Sequence, residues 1–100
     1  MDPDLSDLSI ADVVISTAGR EQGKLFYVIG TDETYLMLAD GKSRTIDKPK
    51  KKKRKHARKV LRSETRIAEK LRNGDKVLNS ELRRDLAAIS QEMQSKPLGG

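Results

Sequence analysis

The sequence predicts a mainly β protein: a small antiparallel sheet curled into a barrel, followed by a C-terminal helical segment. Three observations predict it. Short apolar, partly β-branched runs alternate with glycine-containing polar turns between residues 10 and 47. Beyond residue 63 the apolar spacing lengthens to that of a helix. With 100 residues, 35% of them hydrophobic and 36% charged, the chain has material for one thin core and not for two.

The elements follow in order. Residues 1–9, rich in Asp, read as a disordered acidic leader; with no Lys or Arg they do not make a signal peptide. Residues 10–16 (IADVVIS) are the first strand, and 17–23 (TAGREQG) form a polar turn with two glycines. Residues 24–30 (KLFYVIG) and 34–39 (TYLMLA) are the second and third strands, joined by a tight connection at 31–33. Asp40–Gly41 signals a type I′ turn, after which 43–47 (SRTID) read as a fourth short strand. The second and third strands are apolar on both faces. One face can fill a barrel and the other needs a cover, which the C-terminal segment or an intermolecular partner can supply.

After residue 63, Ile67 and Leu71 stand four apart ahead of the stop signal Asn73–Gly74. A second helix, capped by Asn79 or Ser80, runs over 81–94 with Leu82, Leu86, Ile89 and Met93 on one stripe, read as a packing face.

Between the two patterns lies residues 48–59, KPKKKKRKHARK. Nine of these twelve residues are Lys or Arg and none is acidic. The rest of the chain holds 12 basic residues against 15 acidic ones, so the net charge of +6 becomes −3 without this arm. Charge so localised, and so costly in self-repulsion, points to an anionic partner.

Little points to catalysis, and the expected class is not an enzyme. There is no Cys, hence no thiol nucleophile, thiolate metal site or disulfide. The single histidine, His56, lies among cations with no acid nearby in sequence to orient it. DGKS at residues 40–43 imitates the tail of a phosphate loop but lacks the upstream glycine. No catalytic residue, metal or cofactor is expected. No apolar run approaches the roughly 18 residues of a membrane helix, and the expected location is the cytoplasm.

Residues 14–41 (VISTAGREQGKLFYVIGTDETYLMLADG), centred on Gly23, resemble a KOW motif. Together with the KPKKKK arm, Lys55–His56 and the Asp40–Lys42 turn, the chain resembles the bacterial KOW-domain RNA-binding proteins, which are similar to eukaryotic-type large-subunit ribosomal proteins. The resemblance covers roughly residues 10–60. It implies an SH3-like five-stranded antiparallel barrel over residues 10–62, a fifth strand from about 55–62, and RNA, usually ribosomal, as partner. Residues 63–100 form a helical extension to which nothing carries over.

The expected function is therefore RNA binding, associated with ribosomal RNA of the large subunit or with ribosome assembly and translation. The arm's Lys48, Lys50, Lys51, Lys52, Lys53, Arg54, Lys55, His56, Arg58 and Lys59 supply phosphate contacts. Arg20 and Lys24 beside the first loop, with Lys42 and Arg44 beside the third turn, form a rim that sets placement. The alternatives are a protein-interaction adaptor and a nuclear or chromatin-associated SH3-like module, since PKKKKRK is similar to an import signal.

Overall fold

The computed structural model describes residues 8–95. Five strands, β1 (Asp12–Ser16), β2 (Leu25–Thr31), β3 (Tyr35–Ala39), β4 (Lys50–Lys53) and β5 (Ala57–Arg62), precede two helices, α1 (Arg66–Asn73) and α2 (Asn79–Ser95). The strands form one antiparallel sheet in the order β4-β3-β2-β1-β5. The sheet is open: its edge strands β4 and β5 each pair on one side only. Among the described residues no helix is long and apolar enough to cross a membrane.

The fourth strand is the main correction. Residues 43–47 are not a strand, because side chains take up their backbone donors. Asp40 Oδ1 accepts from the N–H groups of Lys42 (2.9 Å) and Arg44 (2.8 Å), and Asn79 Oδ1 accepts from that of Ile46 (2.9 Å). Local bonds of this kind compete directly with a sheet ladder. The type I′ turn is absent for a related reason. It needs positive φ at two successive residues, and of Asp40 and Gly41 only Gly41 has it, at 78°. The fourth strand lies instead inside the basic arm, with Lys50 opposite Leu38 and Lys53 opposite Tyr35.

The arm is thus a seam. Its first half pairs with β3 as β4. A three-residue 3-10 turn, Arg54–His56, then leads into β5, which pairs with β1 at the other edge of the sheet. Two edge strands separated by only three residues require the sheet to curl. Irregular register in β1–β5 at Val13/Val14 and in β2–β3 at Val28/Gly30 supplies the local bends.

Both faces of the curled sheet carry buried apolar residues. Val14, Phe26, Val28, Leu36, Leu38 and Ala57 pack on the concave side, joined by Leu8. Leu8 and Ser9 fall in the stretch read as a leader, but Leu8 is 4% exposed and Ser9 donates its N–H to Asp12 Oδ2 at 2.9 Å. The rest of the predicted leader, residues 1–7, lies outside the described residues. On the convex side Val13, Tyr27 and Ala39 meet Val77, Leu82, Leu86 and Ile89. The double-faced strands therefore find their cover within the chain. Burying each large aliphatic side chain of that stripe contributes roughly 1.5–3 kcal/mol before entropy is counted. Met93, the last residue of the predicted stripe, projects beyond the sheet and is 46% exposed.

Two further devices hold the helices. Thr65 caps α1 by accepting from Ala68 N–H, and Gly74 ends it in the left-handed conformation. A polar knot then joins sheet to helix: the Tyr27 hydroxyl donates to Asp85 of α2 and lies 2.8 Å from Ser63 Oγ. Burial, with Asp85 beside it, pushes the Tyr27 hydroxyl up to about 12. At the start of α2, Gly41 is in close contact with the helix backbone. A Cβ there would sit 2.2 Å from Asn79 O, so only glycine fits.

Candidate functional site

The pleat of β4 divides its four lysines. Lys50 and Lys52 lie on the side of Leu38 and Leu36, whereas Lys51 and Lys53 lie on the side of Met37 and Tyr35. Lys52 is 8% exposed and its Nζ donates to Ala18 O at 2.9 Å. Lys51 and Lys53 are exposed, and Lys51 Nζ lies 4.4 Å from the centre of the Tyr35 ring.

An acid explains why lysines are tolerated on the inner side. Glu21, in the loop between β1 and β2, is 7% exposed. Arg44 Nε donates to its Oε2 at 2.6 Å, and Lys50 and Lys52 add their charges to the same carboxylate. Burial by itself raises the Glu21 pKa, but Arg44, helped by the two lysines, holds the carboxyl below its ordinary value. The sequence reading missed Glu21. The only signal was a single acid inside TAGREQG, and nothing local marks it as the counter-ion of residues 23 to 31 positions away.

The predicted site residues thus separate into two groups. Arg44, Lys52, Arg54 and Lys59 have partners inside the protein. Arg54 donates from Nε to Asp32 O (2.8 Å) and from Nη1 to Leu8 O (3.2 Å). Lys59 Nζ lies 3.5 Å from Asp12 Oδ2, a carboxylate with no exposure. His56 is half-buried and its carbonyl accepts from Thr17 N–H at 2.9 Å, locking the 3-10 turn to the end of β1. Lys50 is half-buried beside Glu21. The remaining eight, Arg20, Lys24, Lys42, Lys48, Lys51, Lys53, Lys55 and Arg58, are exposed.

The Glu21–Arg44 ion pair draws the two glycine loops together. Lys24 follows Glu21 by three residues and Lys42 precedes Arg44 by two, so these two of the four predicted rim cations flank one junction. Arg83 of α2, also missed in the sequence reading, anchors the same junction by donating to Gly41 O at 2.7 Å. Among the described residues no group of three His, Asp or Glu side chains converges as a metal site would require. No protein-family model matches the chain, and no curated protein sequence matches it.

Proposed function

We propose that the protein binds RNA through the outward side of the basic seam. The observation that carries this reading is the set of Lys53, Lys55 and Arg58, exposed cations with no acid paired to them among the described residues, on a strand–turn–strand anchored at both edges of the sheet. Lys48 and Lys51 extend the set. A polyanion that neutralises these charges releases its condensed counterions, which a single small anion does not match. In this reading the seam supplies affinity, while Arg20, Lys24 and Lys42 form the rim that orients the RNA. Arg44 serves the rim indirectly, by holding its two loops together through Glu21.

The SH3-like KOW architecture belongs to the same proposal. It is supported by a seam that links the two sheet edges and by the glycine turns at Gly19, Gly23 and Gly41, all with positive φ. Ribosomal RNA of the large subunit is the target class we propose, with no chemical step performed by the protein. The rival readings have weaker support. Methyl-lysine capture needs an aromatic cage, yet Phe26 and Tyr27 are both buried. An adaptor would use the α2 stripe, but Leu82, Leu86 and Ile89 are occupied by the sheet.

The test is a salt titration of binding to a fluorescent duplex RNA. Five outward cations predict a loss on the order of 10²- to 10³-fold in affinity between 50 and 200 mM salt. Replacing Lys51, Lys53, Lys55 and Arg58 together by Ser should lower the slope of log affinity against log salt by about 3 to 4. An unchanged slope would sink the seam as the interface. Sedimentation of a native lysate tests the ribosomal part: the protein should travel with the large subunit and leave it in the fourfold Ser variant.

A further inference from the structure

A groove of about 570 Å³ runs between α2 and the two glycine loops, a size within the usual range for small-ligand sites. Its existence follows from packing already described. Gly41 and Arg83 tie the N-terminal part of α2 to the 40–44 loop. Further along the helix the side chains facing the groove are small, Ala87 and Ser90, so the helix and the loops do not meet. On the opposite wall Gly23 contributes no side chain, and a Cβ built there would touch nothing within 4 Å.

The lining is divided by chemistry. Leu25, Leu86 and Ala87 give aliphatic carbon, while Lys24, Lys42 and Arg83 bring cations. Lys24 and Lys42 have no side-chain hydrogen bond or ion pair among the described residues, and both are exposed. The one acid among the described lining residues, Asp40, is turned to its own loop. Its carboxylate accepts from Lys42 N–H, Arg44 N–H and Ser43 Oγ, the last at 2.9 Å. The groove therefore presents an apolar surface with a net positive rim and one satisfied carboxylate.

We infer that this groove takes an unpaired nucleotide of the bound RNA, its base against Leu25, Leu86 and Ala87 and its phosphate between Lys24 and Lys42. The inference rests on the RNA-binding reading and narrows it: the preferred target is a helix interrupted by a bulged nucleotide, not an uninterrupted duplex. A nucleotide satisfies both halves of the lining at once. Its base face is apolar enough to replace water on aliphatic carbon, and its phosphate answers the two unpaired lysines. Continuity with the seam supports the same occupant. Arg58 of the seam lies opposite Ile15 of β1, which in turn lies opposite Leu25 of the groove lining, so the three share one side of the sheet. A backbone lying on the outward cations can thus pass a displaced nucleotide toward the groove. No aromatic ring lines the groove, so the base is held by shape and aliphatic contact, with little sequence preference.

The experiment compares a plain RNA duplex with the same duplex carrying one bulged 2-aminopurine, using full-length protein and fluorescence anisotropy. The bulged RNA should bind about fivefold more tightly, the scale of burying one base face on aliphatic carbon, and the 2-aminopurine emission should change on binding. Ala87→Glu, at an exposed helix position, fills the groove and adds a negative charge. It should abolish the fivefold preference and the emission change while leaving plain-duplex affinity within about twofold. Ser90→Glu is the second blocking variant should Ala87→Glu lose its helical circular dichroism. Equal affinity of the wild type for the two RNAs would overturn the groove inference and leave the RNA-binding reading standing. Binding of neither RNA would overturn both. Binding of a Leu–Asp-rich acidic peptide that Ala87→Glu abolishes, with no change in 2-aminopurine emission on adding the bulged RNA, would overturn the inference and assign the groove to a protein partner instead.

Discussion

Lys52 and Lys53 are neighbours in a run of identical residues, yet they belong to different parts of the molecule. Lys52 is nearly buried, hydrogen-bonded to Ala18 O and close enough to Glu21 to act on its charge. Lys53 stands in solvent on the other side of the pleat. The difference teaches that a basic run is not one object. When it becomes a strand, alternate charges turn inward and must be answered by the protein's own acids and carbonyls. The others are left for a partner.

The largest effect separating the two sides should come from Lys52→Glu. It would place a second carboxylate beside the buried Glu21 and remove the donor to Ala18 O. A loss of roughly 3–5 kcal/mol is expected, the range for breaking a buried pair. Lys53→Glu should stay within about 0.5 kcal/mol, as exposed substitutions do. Urea unfolding followed by circular dichroism checks both, and equal losses would erase the distinction between the two sides.

Next in size is Tyr27→Phe, which removes one of the two hydroxyl donors to Asp85, leaving Thr65 Oγ1, and should cost about 1–3 kcal/mol. It carries a pH signature. The Tyr27 pKa is raised from 10.0 to about 12 in the folded protein, so its contribution is fully present below pH 10 and is lost as pH rises toward 12. Thermal unfolding of the Phe variant should therefore show a shallower alkaline decline than the wild type between those values.

The inward cations predict an acid-side effect of smaller size. Glu21 has its carboxyl held below the ordinary 4.5, so the stability it contributes is present above that value and falls away as pH drops below it. Glu21→Gln should flatten this acid limb, and Arg44→Ala should move it to higher pH. An acid limb unchanged in both variants would remove Glu21 as the internal counter-ion. The smallest effect belongs to the rim. Charge reversal at Arg20 and Lys42 should leave the melting temperature within a few degrees while weakening RNA binding, and unchanged RNA binding would discard the rim.

Much of the fold was legible in the residues themselves. The β-branched and apolar runs mark β1, β2 and β3, and the apolar content of β2 on both faces announces a second cover; the stripe Leu82, Leu86, Ile89 reads as a packing face, and only the structure shows that it, and not an intermolecular partner, supplies that cover. Helix α1 ends at Gly74 as Asn73–Gly74 signals. The fourth strand was not legible, because four consecutive lysines have neither alternation nor strand propensity to reveal a pleat. Residues 43–47 misled for the converse reason: their composition suits a strand, but Asp40 and Asn79 claim their N–H groups.

The candidate site divides along the same line. The sequence by itself determined that charge is concentrated in residues 48–59, since a count of Lys and Arg needs no coordinates. It also determined which segments bury apolar surface, because periodicity is a local property of the chain. Only the tertiary structure decided which cations face inward, that Glu21 answers Arg44, and that Gly41 must receive the backbone of Asn79. Those relations join residues tens of positions apart. Electrostatic pairing and steric exclusion act through distances of a few ångströms in space, and those distances are set only when the sheet has curled and α2 has docked on it.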